Sequence, residues 1–83
     1  MNLGFSTSAF EQLNALPQID QVRIKNKLLH YADQKDPLKF AKRLVGHDVY
    51  RFRIGDFRVI FEKDRETLYI LVIAKRDSIY KDL

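Results

Sequence analysis

Val49-Tyr50-Arg51-Phe52-Arg53-Ile54-Gly55-Asp56-Phe57-Arg58-Val59-Ile60-Phe61-Glu62 is the stretch that decides the fold. Apolar and polar residues alternate on both sides of Gly55-Asp56, the period-two pattern of half-buried strands. Gly-Asp is a two-residue hairpin connection in which glycine supplies the positive φ that the turn requires. A turn of that length sets the register. Ile54 then faces Phe57, Arg53 faces Arg58, Phe52 faces Val59 and Arg51 faces Ile60. Tyr50, Phe52, Ile54, Phe57, Val59 and Phe61 share one face, which must be the core face. Arg51, Arg53 and Arg58 share the other. Like charges directly opposed on a sheet are destabilising, and the nearby acids Asp48, Asp56 and Glu62 sit at the ends of the hairpin. Such a face suits an anion, and arginine suits phosphate, since its planar fork donates two hydrogen bonds and keeps its charge. The plainer alternative is a soluble sheet face whose arginines pair with loop acids.

Downstream, a turn at Lys63-Asp64-Arg65-Glu66 leads into Thr67-Leu68-Tyr69-Ile70-Leu71-Val72-Ile73-Ala74. That nearly continuous apolar run predicts a strand buried on both faces and central in the sheet. Lys75-Arg76-Asp77 and a terminal helical turn over Ser78 to Leu83 close the chain. Upstream, Leu3-Gly4-Phe5-Ser6 predicts a first strand. Ser8 and Glu11 have capping-box spacing, and Phe10, Leu13 and Leu16 follow at helical intervals until Pro17, which opens a second helix. There Ile24, Leu28, Tyr31 and Ala32 form an apolar stripe, widened by Val22 and Leu29. Arg23, Lys27, His30 and Gln34 form a polar stripe on another side, more in keeping with a solvated face than a binding one. Asp36-Pro37 stops the helix, and a loop through Lys42-Arg43-Leu44-Val45-Gly46 returns to the hairpin. The reading is α+β: an N-terminal strand, a helical hairpin, a three-stranded antiparallel meander (β-α-α-β-β-β) and a short C-terminal helical turn.

Eighty-three residues allow one domain, 1–83. A chain this short needs a dense core, and 46% hydrophobic residues with six Phe and four Tyr supply one. With no cysteine, disulfides, Cys-based zinc sites and thiol catalysis are excluded. No membrane-length apolar run and no signal peptide are present, so the expected location is the cytoplasm. The net charge of +4 is unevenly spread: residues 1–20 carry −2, residues 21–58 carry +6 and residues 59–83 cancel. A basic middle segment points to an anionic partner, nucleic acid first. The two histidines cannot form a His-rich metal site, the acids lack two-metal spacing, and the three glycines are isolated. No cofactor is implied.

Lys42-Arg43-Leu44-Val45-Gly46, followed by Tyr50-Arg51-Phe52-Arg53-Ile54-Gly55-Asp56-Phe57-Arg58-Val59-Ile60-Phe61 and the tail Ala74-Lys75-Arg76-Asp77-Ser78-Ile79-Tyr80, resembles the signature of the RelE toxins of type II toxin–antitoxin systems. The resemblance covers essentially the whole chain, and the order of elements agrees with it. The wider RelE/ParE superfamily holds ribosome-dependent mRNA nucleases and gyrase poisons on one fold. Arg76 followed by Tyr80 resembles the nuclease branch. That branch implies a ribosome-dependent endoribonuclease that cuts messenger RNA without metal, by attack of a ribose 2′-oxygen on the adjacent phosphate. The alternatives are a ParE-like inhibitor of DNA gyrase and a non-catalytic RNA- or ribosome-binding relative.

On the nuclease pattern Arg58 stabilises the phosphoryl oxygens, and Arg51 and Arg53 hold the backbone. Arg76 sits near the leaving group, and Tyr80 stacks on a base or assists proton transfer. Lys42, Arg43, His47 and Lys75 are the expected RNA-binding residues. The general base is open among Lys75, His47, Tyr80 and a ribosomal group, because arginine does not readily give up its proton. The implied partners are the ribosome, messenger RNA and a cognate antitoxin laid over the sheet edge and helical hairpin, with no membrane and no small-molecule cofactor.

Overall fold

A computed structural model describes residues 1–44, 46 and 48–76. In chain order the elements are β1 (Asn2–Phe5), α1 (Thr7–Asn14), α2 (Gln18–Asp33), a 3₁₀ turn (Pro37–Phe40), β2 (Lys42–Arg43), β3 (Tyr50–Ile54), β4 (Phe57–Lys63) and β5 (Thr67–Lys75). The strands form one mixed sheet in the order β1-β5-β4-β3-β2, with β1 parallel to β5 and the other pairs antiparallel. The α+β plan read from the sequence is present. The two-residue edge strand β2 and the 3₁₀ turn are additions to it. The expected C-terminal helical turn lies outside the described residues.

The hairpin has the register that its turn dictates: Ile54↔Phe57, Arg53↔Arg58, Phe52↔Val59 and Arg51↔Ile60. Gly55 has φ +58° and Asp56 is not in the positive-φ region, the arrangement of a type II′ turn. One face of the sheet carries Phe52, Ile54, Phe57, Val59, Phe61, Leu68, Ile70 and Ile73 into the core, where Ala9, Leu13, Ile24, Leu28, Tyr31 and Ala32 of the helices meet them. The four-residue stripe predicted on α2 is buried as a set. Tyr31, Phe52 and Phe61 stack in sequence, with ring centroids 4.4 and 4.2 Å apart.

Four local expectations are corrected. The N-cap of α1 is Ser6, not Ser8. Its Oγ accepts from Ala9 N at 3.0 Å and donates to Leu71 O at 3.0 Å, so one hydroxyl starts the helix and ties it to β5. Phe10 is 56% exposed. The small Ala9 lets α1 approach the sheet, and Phe10, one position round the helix, is left at the rim of a groove lined by Leu3, Phe5 and Leu29. Val22 and Leu29 are exposed rather than widening the core stripe. Finally, β5 is interior, between β1 and β4, but β4 is the middle strand and β5 is not buried on both faces, since Tyr69 is 41% exposed. The apolar run arises from a bulge. Phe61 pairs with Ile70 while Ile60 pairs with Val72, so β5 has an extra residue there and its alternation shifts by one. Beyond the end of β1, Gln12 Oε1 accepts from Ile73 N at 2.8 Å, satisfying backbone that no strand reaches.

Candidate nucleic-acid interface

Directly opposed residues of an antiparallel pair share a face. Lys42 pairs with Arg51 and Arg53 with Arg58, so the face away from the helices carries two opposed pairs of like charge. Each opposition costs a few tenths to about 1 kcal/mol in a sheet. Arg53 and Lys42 are exposed and Arg51 is half-buried.

Arg58 is different. It is 2% exposed, on the middle strand between Arg53 of β3 and Ala74 of β5. Its Nη1 donates to Phe57 O at 3.3 Å, and its Nε is buried with no hydrogen-bond partner. A buried charge with an unsatisfied donor is expensive to hold, and such a donor marks a point where a ligand or solvent can be bound. Sequence pattern placed Arg58 on the polar face and gave no sign that it would be enclosed.

The other expected site residues divide. Lys42 joins the arginines. Arg43 is paired with Tyr50, on the opposite parity, and its Nη2 lies 2.5 Å from Asp48 Oδ1 in an exposed ion pair that contributes little. Lys75 is exposed and pairs with Phe57, a core-face position, so it is not on the arginine face. Arg76 is exposed and its backbone N donates to Asp56 O at 3.0 Å. That sets it beside the hairpin turn, two residues beyond Ala74, the partner of Arg58. His47 and Tyr80 lie outside the described residues. Among the described residues no group of three or more His, Asp or Glu side chains is placed to hold a metal ion, and no helix is long and apolar enough to cross a membrane.

Sequence reading missed one feature. An open pocket of about 370 Å³ adjoins the cationic face, lined by Lys39, Phe40, Ala41, Lys42, Arg51 and Arg53. The 3₁₀ turn builds its far wall, and the only sequence sign of that turn was Pro37, where a helix was read to stop.

Fold and site together define the class: an α+β protein with a helical hairpin on one face of its sheet and a row of cations on the other. The family model for the ParE toxin of type II toxin–antitoxin systems, parDE, matches residues 5–80. The chain belongs to this toxin family, within the RelE/ParE superfamily. Among solved structures it is similar to the RelB–RelE antitoxin–toxin complex of Methanococcus jannaschii, at 25% identity and TM-score 0.72, covering 96% of this chain and 98% of that one. It is also similar to the RelBE2 toxin–antitoxin complex of Mycobacterium tuberculosis, at 26% identity and TM-score 0.66, covering 90% and 96%. The isolated RelE toxin of E. coli shares the fold at TM-score 0.74 with 17% identity, over 98% of this chain and 92% of that one. No curated protein matches the chain.

Proposed function

We propose that this toxin is a ribosome-dependent messenger-RNA endoribonuclease acting in the cytoplasm and held in check by a cognate antitoxin. The observation that supports it most is Arg58, a guanidinium fixed in the middle of the sheet with an unsatisfied Nε, opposite Arg53. The reaction is attack of a ribose 2′-oxygen on the adjacent phosphorus. The 5′-oxygen leaves and takes a proton, giving a 2′,3′-cyclic phosphate and a 5′-hydroxyl end. Negative charge grows on the phosphoryl oxygens as the new bond forms, so preset donors there lower the barrier. Arg58 and Arg53 supply them, Arg51 and Lys42 hold the flanking phosphates, and Arg76 stands toward the leaving oxygen. Because Arg58 is enclosed, the phosphate reaches it only as the surface over it opens, which couples docking to assembly of the site. Tyr80 is assigned to base stacking or proton transfer, and the base that takes the 2′-OH proton comes from Lys75, His47, Tyr80 or the ribosome.

The test is induced expression of wild type, Arg58→Ala and Arg76→Ala, followed by mapping of messenger-RNA ends in a translating extract. Both variants should lose growth arrest and cleavage. Unchanged cleavage by both overturns the site assignment. The matching family model, named for ParE, favours a second reading, inhibition of DNA gyrase. In that case supercoiling stalls and messenger RNA stays intact.

A further inference from the structure

Resting on the nucleic-acid reading of the cationic face, we propose that the pocket beside it is a nucleobase subsite for single-stranded RNA, with Phe40 as its stacking platform. Phe40 is 42% exposed, on a 3₁₀ turn whose other apolar residues, Pro37 and Leu38, are buried and half-buried. Its ring stacks on Tyr31 with centroids 5.1 Å apart and planes 21° apart, and His30 sits tilted beside it with centroids 6.4 Å apart. Tyr31 is in turn held on Phe52, and Phe52 on Phe61. Phe40 is therefore one end of a five-ring column, closed at its other end by Tyr50 on Phe61, whose inner rings lie in the core. A column so anchored presents its end ring without the entropy cost that a loose side chain meets on binding.

The rest of the lining decides what the ring receives. Lys39, Lys42, Arg51 and Arg53 line the pocket with it, and among the described residues no acid does. An aromatic platform ringed by cations is how single strands are held without sequence readout, the base on the ring and the phosphates on the basic groups. An apolar peptide side chain would draw nothing from the basic lining, and double-stranded nucleic acid keeps its bases stacked away from such a ring. The pocket shares Arg51 and Arg53 with the cationic face, so a base on Phe40 belongs to a nucleotide a step or so from the phosphate at Arg58.

The probe is a fluorescein-labelled RNA of about ten nucleotides with 2′-O-methyl riboses, which cannot be cut, compared with an abasic strand of equal length. Anisotropy titrations at several salt concentrations read the affinity. Phe40→Ala should weaken RNA binding roughly five- to hundred-fold and leave the salt slope unchanged. Lys42→Ala should lower that slope by about 0.7. Wild type should lose the same factor on the abasic strand, and Phe40→Ala should not distinguish the two strands. Phe40→Tyr keeps a flat ring and should bind like wild type, whereas Phe40→Leu keeps the apolar bulk and should bind like Phe40→Ala. The Tyr and Leu pair answers the question even where the alanine variant folds poorly. Equal wild-type affinity for both strands, absence of saturable binding, or wild-type binding by Phe40→Leu overturns the subsite. Phe40-independent binding alongside Arg58-dependent cleavage removes the subsite and leaves the nuclease standing. Phe40-dependent binding with intact messenger RNA does the reverse.

Discussion

Replacing Arg58 by methionine should make the fold more stable while abolishing toxicity. The side chain is 2% exposed, its Nε has no partner, and Nη1 makes a single 3.3 Å bond to a neighbouring carbonyl. Exchanging buried ionic groups for apolar ones of similar size is neutral or stabilising by about 1–4 kcal/mol. Relief of the opposition to Arg53 adds a few tenths of a kcal/mol, and loss of the bond to Phe57 O subtracts about 0.5–1.5 kcal/mol. The balance is a gain of about 1–2 kcal/mol, or roughly 5–10 °C in Tm for a chain of this size. Urea unfolding followed by far-UV circular dichroism reads it directly. Inorganic phosphate, tested at ionic strength matched with chloride, should raise the stability of wild type by mass action and add little to Arg58→Met. A loss of more than about 1 kcal/mol in Arg58→Met would refute the reasoning, because the guanidinium would then be holding the fold.

Three further perturbations follow from local geometry. Ser6→Ala removes both the cap of α1 and the bond to Leu71 O; it should cost about 1–2 kcal/mol in urea unfolding, whereas Ser8→Ala should be nearly silent. Gly55→Val meets a positive φ of 58° and places a Cβ 3.3 Å from Arg23 Nη1, so it should destabilise by at least about 1–2 kcal/mol, with Gly55→Asn milder. Asp64 accepts from the backbone N of Glu66 and of Thr67 at 2.9 and 2.7 Å, and these bonds hold its carboxyl below the usual range. Its contribution is therefore complete above the unfolded-state pKa and is lost as pH falls below about 4, through the folded-state value. Asp64→Asn should flatten the acid limb of a Tm-versus-pH curve, and an unchanged limb would contradict that account.

The hairpin was legible because two constraints agreed: strict alternation and a two-residue turn leave one register in which six apolar side chains reach the same face. The buried stripe of α2 was legible for the same reason at the helical period. What escaped were features made by distant contacts. Ser8 has the capping-box spacing, yet Ser6 is the cap, because Leu71 O, far along the chain, is there to accept from it. The bulge in β5 disguised itself as two-sided burial, since shifting an alternation by one residue joins two apolar sets into a run. Lys42 and Arg43 read as loop until β3 offered them an edge. The enclosure of Arg58 carried no signal in the sequence, because burial of a polar-face residue depends on what the assembled sheet places around it.

The chemistry of the cationic face is tied to the core by the same period-two rule. Arg53 and Arg58 lie between Phe52 and Ile54 and between Phe57 and Val59, all four of them buried. A slip of one residue would turn the aromatic column outward and aim the arginines at the helices, so the hydrophobic effect that forms the hairpin also aims the cations. Loop-borne arginines would adapt to a ligand and lose side-chain freedom on binding it. Arginines on β3 and β4 are held by a sheet that has already ordered them, and the repulsion between opposed cations is borne by the core in the absence of ligand. An arriving phosphate neutralises the exposed Arg53 first, and satisfies the buried donor of Arg58 once the surface over it opens. The face should therefore discriminate steeply by ligand charge and only weakly by base, with any base preference arising in the pocket at Phe40.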